Sequence, residues 1–255
     1  MELVLASTAR QAGAFAAAQV ADAIRSAIAH RGQARITLGT GASQIILLEH
    51  LVASEGIDWS VVTLFHLDQY IAMAADHPAS FIRYLRERFV EKVPSLAAAH
   101  FIDGLADPQA ECRRVGALIR ESPVDVSCVG IGENGHLAFN DPPADFETAE
   151  PYLEVELDDA CRRQQFGEGW FPTFDAVPRR AISMSVRQIL ASRKLVCTVP
   201  DLRKARPARD AIEGPLTNLV PASILRTHEN CIMILDEPAA SLLSDATKAA
   251  ARRIE

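Results

Sequence analysis

Apolar residues recur along this chain in two rhythms. The segments Gln11–Ile28, Gln44–Ser54, Pro78–Glu91, Pro108–Glu121, Val186–Ala191 and Arg203–Glu213 read as helices, and a further helix starts at Pro238 and runs to the end. Between them lie short, nearly continuous apolar runs: Ala34–Leu38, Trp59–His66, Val124–Val129, Lys194–Val199 and Cys231–Leu235, with Leu153–Leu157 and Arg180–Met184 as weaker examples. Runs of this kind suit strands covered on both faces. Because strands and helices alternate, the pattern predicts βαβ units: an α/β fold with one open, mostly parallel sheet of about six to eight strands and helices on both faces. No repeat or linker-like tract interrupts it, so residues 1–255 are expected to form a single domain.

Composition excludes several classes. Half-apolar, quarter-charged usage leaves no tract polar enough for extensive disorder. A net charge of −7 argues against a general nucleic-acid binder, which needs clustered Lys and Arg. The Ala-rich Gln11–Ile28 stretch superficially resembles a leader, but Asp22 and Arg25 interrupt it, and no apolar run is long enough to span a membrane. Five widely spaced cysteines (Cys112, Cys128, Cys161, Cys197, Cys231) suggest neither a disulfide framework nor a CxxC metal site, so reduced thiols and a cytoplasmic setting are expected.

Candidate chemistry gathers after three of the predicted strands, where the ligand crevice of an open parallel sheet lies. Leu38–Ser43 reads LGTGAS: backbone N–H groups and the Thr40 and Ser43 hydroxyls at a helix start suit an anion, though a plain strand-to-helix turn capped by Ser43 reads the same way. It lacks the Lys of a Walker A loop and the spacing of a dinucleotide fingerprint, which disfavours a nucleotide. Phe65–Tyr70 reads FHLDQY, placing Asp68 just past a strand, with His66 on the same face if the strand extends that far and more in keeping with a supporting part than a catalytic one. Residues 130–143 read GIGENGHLAFNDPP: Gly130, Gly132 and Gly135 permit positive φ and close approach to a ligand, and His136 lies near Asn134, Asn140 and Asp141. A histidine near a carboxylate has the parts for general acid–base work at neutral pH. Asp68, His66, His77, His136 and Asp141 lack HxxxH or HxH spacing, so no metal is expected, and no GxSxG elbow marks a serine hydrolase.

The stretch GIGENGHLAFNDPP, together with FHLDQYIAMAADHPASF and LRKARPARDAIEGPLTNLVPASILRTH, resembles the glucosamine-6-phosphate deaminase family in order and spacing from about Leu38 to Glu237. Phosphogluconolactonases share the fold and the Gly-x-x-Gly-His core but usually continue with a Thr-Ala-Ser-Leu-Phe-Pro type segment. The resemblance implies that Asp68 moves a proton between C2 and C1 of an opened aminosugar phosphate, and that His136, oriented by Asp141 and Asn134, assists ring opening. It also implies that Thr40, Gly41, Ala42, Ser43 and Gly130 line a phosphate site to which Lys204 adds charge. The reaction would release ammonia from a 2-amino-2-deoxyhexose 6-phosphate, glucosamine 6-phosphate first, with no metal or organic cofactor. The expected partner is a small sugar phosphate, with neither nucleic acid nor membrane, and a homo-oligomer is compatible with a family ranging from monomers to hexamers.

The chain departs from the family pattern at Asp141, usually Glu; at Asn134, an acid in some members; and at Gln69, usually Glu. Where many members carry an Asn-x-Arg segment, residues 161–171 read CRRQQFGEGWF, leaving Arg162, Arg163, Gln165 or backbone amides as substitutes. The alternatives are a galactosamine-6-phosphate deaminase, a phosphogluconolactonase or simple isomerase, and a silent sugar-phosphate sensor. Sensors normally carry a helix-turn-helix, whereas here a core-like helix starts within about eight residues of Met1.

Overall fold

The computed structural model describes residues 1–254. Its strands are β1 (Glu2–Ala6), β2 (Ala34–Leu38), β3 (Val62–His66), β4 (Asp68–Tyr70), β5 (Ala98–His100), β6 (Val126–Val129), β7 (Tyr152–Glu156), β8 (Arg180–Met184), β9 (Leu195–Val199), β10 (Cys231–Asp236) and β11 (Arg252–Ile254). Its helices are α1 (Ala9–Arg31), α2 (Ile45–Val52), α3 (Phe81–Arg88), α4 (Pro108–Arg120), α5 (Asp159–Gly167), α6 (Val186–Leu190), α7 (Ala205–Glu213) and α8 (Asp245–Ala250).

Eight strands form one sheet in the order β11-β1-β10-β9-β6-β2-β3-β5, and every neighbouring pair is parallel. The buried strands β2, β6, β9 and β10 carry no exposed position, as their continuous apolar runs predict. One core unites α1, α2 and part of α3 with the sheet, and a second unites it with α4, α6 and α7. Helices therefore cover both faces, as expected. Along the chain β2 leads outward to β3 and β5, while β6 leads the other way to β9 and β10. The strand order reverses between β2 and β6, and in such sheets the ligand crevice opens at the carboxyl ends beside the reversal.

Several elements escaped the pattern. Strand β1 is as long as β2 but had no assignment, and β5 and β11 have three residues each; β11 is an edge strand, Arg-Arg-Ile, whose charges mask it. The helix expected from Pro238 onward is instead a run of turns, then α8 capped by the Ser244 hydroxyl, then β11 returning parallel to β1. Helix α5 lies in a segment to which no element was assigned, although Asp158 caps it by accepting from the Cys161 N–H at 2.6 Å. The strands foreseen near 153–157 and 180–184 do form, but in a separate antiparallel sheet, β4-β8-β7. The run Trp59–His66 opens with a 3-10 turn, Trp59–Val61, before β3.

Candidate active site

A cavity of about 420 Å³ opens at the strand reversal. Six carboxyl-end segments of the large sheet line it: Ala9 after β1, Gly39–Ser43 after β2, Leu67–Asp68 after β3, Gly130–Gly132 and His136 after β6, Pro200, Asp201, Arg203 and Lys204 after β9, and Asp236 at the end of β10. Of the residues singled out in the sequence, Asp68, His136, Thr40, Gly41, Ala42, Ser43, Gly130 and Lys204 meet here. Asn134 and Asp141 stand behind His136.

Asp68 begins β4 where the chain leaves the parallel sheet for the antiparallel one, paired across from Ser183. It is 5% exposed, its Oδ1 has no hydrogen-bond partner, and burial pushes its carboxyl up to about 7. His66 does not share its setting: β3 stops at His66, which is fully buried away from the cavity, and burial pushes its imidazole down to about 3. Its supporting part is visible in its main chain, whose carbonyl accepts from the Tyr152 hydroxyl at 2.8 Å. Gln69 turns into the protein and donates to Ser80 Oγ at 2.8 Å. A glutamate there would bury a charge, so this departure spares the core without touching the cavity.

His136 Nδ1 stands 3.0 Å from Asp141 Oδ1, a close contact of charge rather than a well-aligned hydrogen bond. Asp141 is held from three sides. Asn134 Nδ2 donates to its Oδ1 at 2.9 Å and to Asp158 at 3.0 Å, and the Asp158 N–H donates to its Oδ2 at 2.9 Å. Burial raises this carboxyl, but the contacts with His136, Asn134 and the Asp158 N–H outweigh it and leave Asp141 below the ordinary aspartate value. Asn134 Oδ1 also accepts from the His136 N–H at 3.1 Å. An acid in place of Asn134 would face both Asp141 and Asp158, so the amide suits this network.

The motif's glycines act differently from one another. Only Gly135 has positive φ, +86°. A Cβ on Gly132 would come within 2.3 Å of the His136 ring, and one on Gly130 within 2.8 Å of Ser43 Oγ, so both are required by close approach. Together they let the histidine loop and the β2 loop touch.

The β2 loop does not follow the simple turn reading either. Gly41 has φ +85°, a 3-10 turn (Ala42–Gln44) intervenes, and α2 has no side-chain cap, leaving the Ser43 hydroxyl for the cavity side. Buried Gln44 reaches Thr198 Oγ1 at 2.7 Å and the Val129 carbonyl at 3.2 Å, tying three strand ends together. The Tyr84 hydroxyl donates to the Gly41 carbonyl at 2.8 Å. Lys204, 7% exposed, is presented by a turn in which Asp201 has φ +87°, and it makes no ion pair among the described residues. Burial lowers its ammonium, while Glu168 and Glu133 act to raise it.

Arg162 is no substitute for a phosphate arginine. It is 1% exposed, donates to the carbonyls of Val177 and Phe174 and to Asp159, and stacks on Phe174. Arg163 is exposed and does not line the cavity; the nearby guanidinium is Arg203, paired with Asp201 and, at 3.6 Å, with Glu133. Gln164, Gln165, Glu168 and Phe81 also line the cavity, although only Gln165 drew attention in the sequence. The Tyr70 hydroxyl fixes Gln165 by donating to its Oε1 at 2.9 Å.

Among the described residues, His136, Asp141 and Cys161 place ligand atoms within 4.8 Å of one another, where no cysteine was expected. Burial and the neighbouring Asp141 and Asp158 push the Cys161 thiol well above its ordinary value, away from the thiolate a metal requires. The donor set fits a hydrogen-bonded support for His136 better than a metal centre.

Fold and site together define an α/β protein with acid–base groups gathered at the switch point of a parallel sheet. A sequence profile of the glucosamine-6-phosphate isomerase/6-phosphogluconolactonase family matches residues 7–234, and the chain belongs to this family. It is 33% identical over 244 residues to a glucosamine-6-phosphate deaminase of Lactobacillus delbrueckii subsp. bulgaricus, covering 95% of this chain and all of the relative. With the deaminase of Latilactobacillus sakei subsp. sakei it shares 38% over 208 residues, 81% of this chain and 86% of the other. Among solved structures, a monomeric glucosamine-6-phosphate deaminase superposes with TM-score 0.86 at 29% identity, covering 95% of this chain and 100% of that one. A putative 6-phosphogluconolactonase from Neisseria gonorrhoeae shares the fold, with TM-score 0.75 at 21% identity over 93% and 100% of the chains. No helix among the described residues is long and apolar enough to cross a membrane.

Proposed function

We propose that the protein converts a 2-amino-2-deoxyhexose 6-phosphate, glucosamine 6-phosphate in the first place, into the ketose phosphate and ammonia. The observation that carries this reading is the unpartnered, buried Asp68 carboxylate in the same cavity as a His136–Asp141 pair. A carboxylate whose value lies near neutrality can both take and return a proton, which an aldose–ketose shift demands. Asp68 removes the C2 proton of the ring-opened sugar and delivers it to C1. The C1 carbonyl oxygen gains the proton that the C2 ammonium loses and becomes a hydroxyl, C2 is left as an iminium, and water adds at C2 and expels ammonia.

His136 protonates the ring oxygen to open the sugar, and Asp141 stabilises the imidazolium and fixes the ring. Main-chain N–H groups of Gly41–Ser43, the Thr40 and Ser43 hydroxyls and the Lys204 ammonium receive the phosphate at the other end. No step calls for a metal or an organic cofactor. The test is to supply glucosamine and galactosamine 6-phosphates to the folded protein and measure ammonia and ketose phosphate. Turnover of either supports the reaction, and preference for one names the substrate; release of ammonia from neither overturns it. Hydrolysis of 6-phosphogluconolactone without deamination would replace it.

A further inference from the structure

The phosphate end of the cavity holds a negative charge of its own. Glu168 follows α5, and its carboxylate is fixed from two sides: Gln164 Nε2 donates to Oε1 at 2.9 Å and Trp170 Nε1 donates to Oε2 at 3.1 Å. Gln164 is itself anchored, because its Oε1 accepts from the Glu133 N–H at 2.8 Å. Trp170 packs edge-on against Tyr84, the residue whose hydroxyl holds the Gly41 carbonyl. The carboxylate is thereby held directly over the β2 loop: a Cβ built on Gly41 would lie 3.8 Å from Glu168 Oε2. The two cationic side chains that line the cavity, Arg203 and Lys204, form no ion pair with it among the described residues.

A carboxylate beside a ring of N–H donors resembles the charge that the loop is arranged to bind. It repels a second anion placed beside it. We propose that Glu168 is a specificity-determining residue of this site, a tethered carboxylate that competes with the substrate's phosphate for the Gly41 loop and so weakens the binding of dianionic ligands. Phosphate enters by displacing Glu168 from its two tethers or by binding beside it against the repulsion. Either route lowers affinity through charge and leaves the Asp68 end untouched. Residues 167–169, Gly-Glu-Gly with Gly169 at φ +83°, give the chain room for the displacement.

This inference rests on the Gly41 loop and Lys204 being the phosphate end. The experiment compares the intact protein with Glu168→Gln and Glu168→Ala, measuring KM for glucosamine 6-phosphate and the dissociation constant of inorganic phosphate by calorimetry, with thermal melting as the check on folding. Both variants are expected to lower KM and to bind phosphate at least fivefold more tightly. An unchanged or raised KM in an active protein overturns the inference and makes Glu168 a ligand for a sugar hydroxyl or a mere tether of α5. A gain in Glu168→Gln but not in Glu168→Ala also overturns it, because the new amide donor would then be the cause. If the unmodified protein releases no ammonia, the functional reading itself fails, whereas phosphate affinity still reports on Glu168.

Discussion

The two ends of the cavity are built on opposite plans. At the end proposed for acid–base work the side chains lead: Asp68 and His136 are buried and Asp141 is half-buried, burial raises both carboxyls, and at Asp141 the contacts with His136, Asn134 and the Asp158 N–H outweigh it. At the anion end the backbone leads, with Gly41 in a left-handed conformation, hydroxyls at its flanks, and charges that reach in from two other loops. Burial separates Asp68 from the open Thr40–Ser43 backbone, although Lys204 is as buried as His136. Removing Asp68 from water moves its proton affinity to where a base is useful, while a phosphate cradle needs exchange with water to load and release. The contrast implies that substitutions at one end change kcat and those at the other change KM.

The strongest break of the acid–base end is Asp68→Asn, which keeps the shape and removes the base. Ammonia release at saturating substrate is expected to fall by about 10³-fold, the middle of the range of general-base contributions, with KM changed far less. A fall of less than tenfold would show that another group takes the C2 proton. Next comes His136→Asn, for which about 10²-fold in kcat is expected, because ring opening in solution partly replaces the acid. Supplying a substrate analogue locked in the open-chain form should erase most of that deficit, and persistence of the full deficit would assign His136 a different step.

Asp141→Asn tests whether the pair acts through charge. The amide can still meet Asn134 and Asp158 after a flip, but it cannot stabilise an imidazolium, so a drop of roughly tenfold is expected, with the alkaline limb of the rate profile shifted to lower pH. An unmoved limb would mean that Asp141 only positions the loop. At the other end, Lys204→Met should raise KM about tenfold, equivalent to about 1.4 kcal/mol, with kcat little altered. A loss confined to kcat would dissolve the division between the two ends.

Why the gathering of Asp68 and His136 in one cavity was legible in the sequence, and the surroundings of the Gly41 loop only partly so, follows from these plans. Asp68 lies two residues past β3, where a carboxylate after an apolar run has few places to go but the crevice, and His136 lies in the glycine-rich loop that leaves β6. The parallel sheet was legible for the same reason, since continuous apolar runs alternate with helices. What stayed hidden depends on contacts distant in sequence. Asp158, 17 residues from Asp141, and Glu168, set over Gly41 from a separate helix, have no local signature. Cys161 joins His136 and Asp141 only because α5 folds over them. Arg162 misled for the opposite reason: its position suggests a phosphate ligand, but its guanidinium is consumed by the carbonyls of Val177 and Phe174. Strand β11 was hidden because an edge strand need not be apolar.

The last expected effect concerns stability rather than rate, and it isolates the burial of Asp68. The Asp68 carboxyl is raised from 3.8 to about 7 in the folded protein. A raised value means that folding favours the protonated form, so the stability it contributes is fully present below pH 4 and is lost as pH rises through about 7. Asp68→Asn mimics the protonated form at every pH. Its Tm should therefore match that of the unmodified protein near pH 4 and exceed it by roughly 10 °C at pH 8, since a rise of about three units corresponds to about 4 kcal/mol and each kcal/mol is worth about 2–4 °C for a chain of this size. The same titration predicts that kcat of the unmodified protein climbs as pH passes about 7, since only the ionised carboxylate accepts the C2 proton. Melting curves at the two pH values decide the matter. Equal Tm differences at pH 4 and pH 8 would place the Asp68 carboxylate in a solvated setting, and the distinction between a dry acid–base end and a wet anion end would then have to rest on the backbone alone.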